Sequence, residues 1–170
     1  MHIDIIERTG SFLYCGVNLP EEKLNIGENC YFLNNDGFIF DKAPYFSGNV
    51  YFKYYSELEG GITNPLGKQM LNTEKFHKLA RFIDNVASLG FKPIYIISDL
   101  EGTNSLYLNY SENSTIPKII FKNDADLDVI LDNFSLAMQK SEFANEINSK
   151  YNTLLYIDLR FNNKVLYKFQ

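Results

Sequence analysis

Tyr156-Ile157-Asp158-Leu159-Arg160-Phe161-Asn162-Asn163-Lys164-Val165-Leu166-Tyr167-Lys168-Phe169-Gln170 closes the sequence and reads as a β-hairpin. Leu155, Ile157, Leu159 and Phe161 alternate with Tyr156, Asp158 and Arg160, which sets an apolar face against a charged one and marks a half-buried strand. In the second arm Val165, Tyr167 and Phe169 alternate with Lys164, Leu166 and Lys168. A two-residue Asn162-Asn163 turn would place Phe161 opposite Lys164 and turn the second arm's aromatics to the wrong face. A three-residue loop instead aligns Phe161 with Val165 and Leu159 with Tyr167, with Asn163 or Lys164 at positive φ. This arm is rich in β-formers and carries Lys164 and Lys168, the usual protection of an edge, so it is expected at a sheet edge able to accept a partner's strand.

Upstream, Ile3–Glu7 and Ser11–Cys15 are short apolar segments, and 16–29 reads as a loop around Gly16, Pro20 and Gly27. Asp36-Gly37 between Tyr31-Phe32-Leu33 and Phe38-Ile39-Phe40 predicts a second hairpin, because Gly37 tolerates positive φ. Asn49–Tyr55 is a further strand candidate, and Glu59–Pro65 a Gly-rich loop. Phe76, Leu79, Ile83 and Val86 recur at helical spacing and predict a helix over 72–89, capped by Asn72 or Thr73 and ended by Gly90. Three strands follow, at Pro93–Ile97, Leu106–Leu108 and Lys118–Phe121. Leu127, Ile130, Leu131, Phe134 and Met138 then predict a helix capped near Asn123 or Asp124, and Ser141 caps a short third one, so 125–149 is mostly helical. The expected fold class is α+β, a largely antiparallel sheet with two to three helices and no βαβ repeat.

The chain's 170 residues, with fourteen Phe and twelve Tyr, suffice for the core of one domain. A net charge of -5 with scattered Lys and Arg leaves no basic footprint for nucleic acid. No apolar run approaches the roughly eighteen residues of a membrane span. Cys15 and Cys30 form either a disulfide closing a loop or two small buried residues that never meet, and spacing leaves both readings open.

Motifs for chemistry are sparse. His2 and His77 have no ligand-type residue at metal-binding spacing, and no cofactor motif is present. Asp124-Ala125-Asp126-Leu127-Asp128 imitates a calcium loop, but Val129 stands where Gly is needed and Ser135 where Glu is needed. Acids favoured at a helix N-terminus explain it better. Asp99 and Glu101 would be the acid–base pair if the protein were a hydrolase, although exposed turn acids are the simpler reading.

Three segments occur together in an order that resembles the FtsQ/DivIB family of bacterial cell-division proteins. They are Ile3-Asp4-Ile5-Ile6-Glu7-Arg8, Cys30-Tyr31-Phe32-Leu33-Asn34-Asn35-Asp36-Gly37-Phe38-Ile39-Phe40, and Tyr156-Ile157-Asp158-Leu159-Arg160-Phe161. The resemblance implies the family's extracytoplasmic β domain over 10–170, preceded over 1–9 by the last strand of a POTRA-like domain. Thr9-Gly10 departs from the proline that commonly follows that Arg. A cytoplasmic tail, one transmembrane helix and the POTRA domain would precede this stretch, on a single-pass protein at the extracytoplasmic face of the bacterial cytoplasmic membrane. That setting favours a Cys15–Cys30 bond.

The implied role is a non-catalytic divisome scaffold without a cofactor. It would bind the coiled-coil partners FtsB/DivIC and FtsL by strand addition at its C-terminal edge during septum formation. By the motif match Arg160 resembles the family arginine that pairs with an acidic partner residue, and Phe161 stands where a partner-contacting tyrosine is usual. Phe169 falls where some members carry an interfacial aromatic, while Val165 and Tyr167 belong to the accepting edge. Arg160→Glu is accordingly expected to weaken binding and leave folding nearly unchanged. Without the resemblance, Asp158 and Arg160 are an exposed same-face pair worth roughly a few tenths of a kcal/mol, and Phe161 is core. Another extracellular or secretion-related binding module, or a hydrolase using Asp99 and Glu101, are the rival functions.

Overall fold

In the computed structural model, which describes residues 9–17, 29–58, 60, 64–111, 114–161 and 163–170, β1 (Phe12–Tyr14) pairs antiparallel with β2 (Tyr31–Leu33). The strand expected at 3–8 lies outside the described residues, as does most of the 16–29 loop. Chain reversal into β3 (Ile39–Lys42) uses the Asp-Gly turn, where Asn34 Oδ1 accepts the N–H groups of Asp36 and Phe38. Gly37 sits at φ 78°, and a Cβ there would lie 2.6 Å from Phe76 Cγ, so backbone and packing both demand glycine. Cys15 and Cys30 continue the β1–β2 register one step past Tyr14↔Tyr31 and are joined by a disulfide, with Cα atoms 4.2 Å apart.

β4 (Lys53–Tyr55) leads to α1 (Thr73–Ser88) and β5 (Pro93–Ser98). The strand expected from Asn49 begins only at Lys53, because 49–51 bend and Tyr51 packs on Phe46 and Phe32. Asn72 caps α1 by accepting the N–H groups of Glu74 and Lys75, and Gly90 at φ 98° ends it. Phe76, Leu79, Phe82, Ile83 and Val86 form its buried stripe. β6 (Thr103–Leu108) and β7 (Lys118–Lys122) continue as a meander.

α2 (Leu127–Met138) is capped by Asp126, not by Asn123 or Asp124, since Asp126 is the residue whose carboxylate reaches the N–H groups of Asp128 and Val129. α3 (Ser141–Ser149) has no side-chain cap. Lys140 occupies the cap position, and Ser141 is already inside the helix after the short Gln139-Lys140 link. A 3₁₀ turn (Tyr151–Thr153) precedes β8 (Leu154–Asp158), and β9 (Leu166–Phe169) ends the fold.

Strand order is β3-β2-β1-β4-β5-β6-β7-β8-β9. Five junctions are antiparallel and three are parallel, so the α+β class with a mostly antiparallel sheet holds. Two βαβ-type units lie within it, separated by an antiparallel meander and so not forming a βαβ repeat. β4-α1-β5 and β7-α2-α3-β8 are both parallel crossovers, and a parallel junction leaves no turn signature between its strands.

One face of the sheet is buried under the helices, where Phe82 meets Phe121 and Phe91 meets Phe134. A smaller cluster of Leu13, Cys15, Cys30, Ala43 and Tyr55 lies on the opposite face, against Phe32, Phe46, Tyr51 and Tyr95. Tyr54 is buried in the main core, and its hydroxyl finds no hydrogen-bond partner among the described residues. Burial pushes that phenol far above its ordinary value. Tyr54→Phe removes an unsatisfied polar atom and should stabilise the protein by about 1 kcal/mol, read as a higher urea midpoint. A lower midpoint would show that the hydroxyl is satisfied.

Candidate functional site at the closing edge strand

β9 is the last strand of the sheet, so one of its long edges is unpaired within the described sheet. The hairpin register differs from expectation by two residues. Ile157 faces Tyr167 and Asp158 faces Leu166, leaving a connection over 159–165 longer than three residues. Asn163 takes φ 64°, as the turn requires. An even shift keeps each side chain on its expected face, but an irregularity between Leu154 and Tyr156 puts Leu154, not Leu155, in the core. Phe161 lies past the strand end and is 49% exposed, so it is not core.

Backbone direction follows from a single bond. The Gln170 N–H donates to the Thr153 carbonyl, so by alternation the N–H groups of Lys168 and Leu166 also face β8, while those of Tyr167 and Phe169 point outward. Tyr167 is 37% exposed, and α3 steadies it. Its ring meets Phe143 and Phe169 edge-on, and its hydroxyl donates to Glu146 Oε2 at 2.8 Å. That hydrogen bond to Glu146 raises the Tyr167 pKa, while Lys150 and Tyr167 together hold the Glu146 carboxyl below its ordinary value. Lys150 Nζ also lies over the ring of half-buried Phe169, and Val165 packs partly against the core. The sequence carried no local sign of the Glu146–Tyr167 contact, since its partners are 21 residues apart.

Arg160 is not a spare cation. Its Nε donates to both Asp158 oxygens at 2.9 and 3.2 Å, its Nη2 donates to Oδ2 at 2.6 Å, and its backbone N–H donates to Oδ1 at 3.0 Å. The pairing was legible, but the exposure was not: Asp158 is only 4% exposed, while the Arg160 side chain is 39% exposed. Arg160→Glu would set a second carboxylate beside a buried one, so the expectation that folding barely changes is corrected. Burial acts to raise the Asp158 pKa, but the Arg160 hydrogen bonds and charge outweigh it and hold the carboxyl below its ordinary 3.8.

A depressed folded pKa contributes stability that is full above the unfolded value and is lost as pH falls through the folded one. Asp158→Asn should therefore cost about 1–2 kcal/mol at neutral pH, the lower part of the charged range because Arg160 meets solvent. The gap between the two proteins' melting curves should close below about pH 4. A gap that stays constant into acid would show that Asp158 is not a charged partner.

Beside Arg160 a cleft of about 270 Å³ opens against Lys122, Asp124, Asp126 and Val129. Asp99 and Glu101 do not line it, although Glu101 lines an adjoining cleft with Lys122, Asp124 and Arg160. Asp99 accepts the Thr103 N–H at 2.8 Å within the β5–β6 turn, and Glu101 is exposed in the same turn. His77 Nε2 lies 3.0 Å from Asp36 Oδ1, both side chains being exposed. Among the described residues no group of three or more His, Cys, Asp or Glu side chains is placed to hold a metal ion, and no helix is long and apolar enough to cross a membrane. No family model matches this chain, and no curated protein matches it significantly.

Proposed function

We propose that this chain is a non-catalytic binding domain which accepts a strand from a partner protein at β9. The observation that carries the reading is the position of β9 at the end of the sheet with the Tyr167 and Phe169 N–H groups directed outward. Such an edge offers sequence-tolerant main-chain bonds, and the exposed side chains at Phe161, Leu166 and Tyr167 offer selectivity. The resemblance of the three sequence segments to FtsQ/DivIB supports the more specific reading. In it the partners are FtsB/DivIC-like and FtsL-like coiled-coil proteins, and the role is scaffolding of septum formation outside the cytoplasmic membrane. Arg160 then presents the exposed side of a guanidinium whose orientation Asp158 fixes.

The test isolates one N–H group. Tyr167→Ala and Tyr167→Pro both lose the ring, but only the proline loses the outward donor, so titration with an FtsB/DivIC-like peptide should be at least about tenfold weaker for proline than for alanine. Lys168→Pro removes an inward donor and should damage the hairpin itself, visible in a thermal melt. Equal affinity of folded Tyr167→Ala and Tyr167→Pro would sink the strand-addition reading. Tight binding of an unrelated strand peptide, with none of the division-type peptide, would favour a different extracellular binding module.

A further inference from the structure

Register carries one line of residues across the sheet on the face away from the helices. Lys53 stands beside Tyr95, Tyr95 beside Tyr107, Tyr107 beside Lys118, Lys118 beside Tyr156, and Tyr156 beside Lys168. The side chains follow the backbone. Tyr95 and Tyr107 stack at 4.6 Å, and Lys118 Nζ lies 5.6 Å from the centre of the Tyr107 ring. Lys118 thus has an aromatic neighbour on both sides, but Lys168 has Tyr156 on one side only, and no ion pair of Lys168 occurs among the described residues. Its other side is the place an added strand would fill.

Because the Lys168 N–H faces β8, Lys168 would sit at a non-hydrogen-bonded position of an antiparallel pair with the incoming strand, where opposed side chains come closest. Two residues away on the same face Leu166 is 45% exposed. On the other face the position opposite Tyr167 lies near Glu146 and Glu142, which disfavour an acid there. Resting on the proposed strand addition, we infer that the partner strand runs antiparallel to β9 with an acidic side chain opposite Lys168 and an apolar one opposite Leu166. It therefore reads acid, any non-acidic residue, apolar. Lys168 is the residue that chooses it.

Two probes test this on the full chain by fluorescence titration: acetyl-Thr-Val-Glu-Val-Leu-Val-Thr-amide and the same peptide with Lys in place of Glu. The unaltered protein should prefer the Glu peptide by about tenfold, and Lys168→Glu should reverse the preference by a similar factor. Both preferences should shrink at high salt, since the pair is exposed. Lys168 is exposed and makes no ion pair among the described residues, so the variant is expected to melt like the parent, which a thermal scan verifies. Equal binding of both peptides to the parent, with Tyr167→Pro abolishing it, would overturn the acid preference and leave strand addition standing. Binding of neither peptide would overturn both.

Discussion

Phe76→Ala is expected to lower the unfolding free energy by about 3–5 kcal/mol, the range for removing a fully buried aromatic ring. Phe76 is completely inaccessible, and its ring packs against Phe12 at 5.7 Å and Tyr54 at 5.5 Å between centres. The cavity left behind has stiff walls. The Gly37 turn already touches the ring from one side, and Tyr54 and Phe12 belong to paired strands. Neither wall can move inward without breaking sheet hydrogen bonds, so the cost should lie in the upper part of the range. Denaturant unfolding with an unchanged slope would measure it. A loss below about 1.5 kcal/mol would mean that the turn collapses into the space.

Loss of the Cys15–Cys30 bond should cost about 3 kcal/mol, whether by reduction or in the double variant Cys15→Ala, Cys30→Ala. The bond closes a segment of 15 residues in sequence, and the strands it joins are only three residues each. Chain entropy must otherwise be overcome by a short β1–β2 pairing. The melting temperature of the parent should fall on adding a reductant, and that of the double variant should not respond. A parent insensitive to a reductant that fully opens the bond would show that the β1–β2 pairing is held by its neighbours β3 and β4 alone.

Elements governed by interactions between near neighbours were legible in the sequence. The Asn72 cap and the Gly90 stop of α1, the Asp36-Gly37 reversal and the positive φ at Asn163 all follow from residues within four positions of one another. The edge strand of the candidate site was legible for the same reason, since alternating β-formers with Lys164 and Lys168 describe a strand guarded on one side. Tertiary structure decided the remainder. Whether Asp158 meets solvent depends on neighbouring strands, the longer 159–165 connection displaces the register by two, the bulge near Leu154 shifts it by one more, and α3 captures Tyr167 across 21 residues. Most of all, the parallel junctions β1–β4, β4–β5 and β7–β8 join segments separated by other strands or by helices. A sequence pattern states which face of a strand is apolar, but not which strand lies beside it. That choice is made by burying the α1 and α2 stripes against a single face, and the row from Lys53 to Lys168 exists only once it has been made.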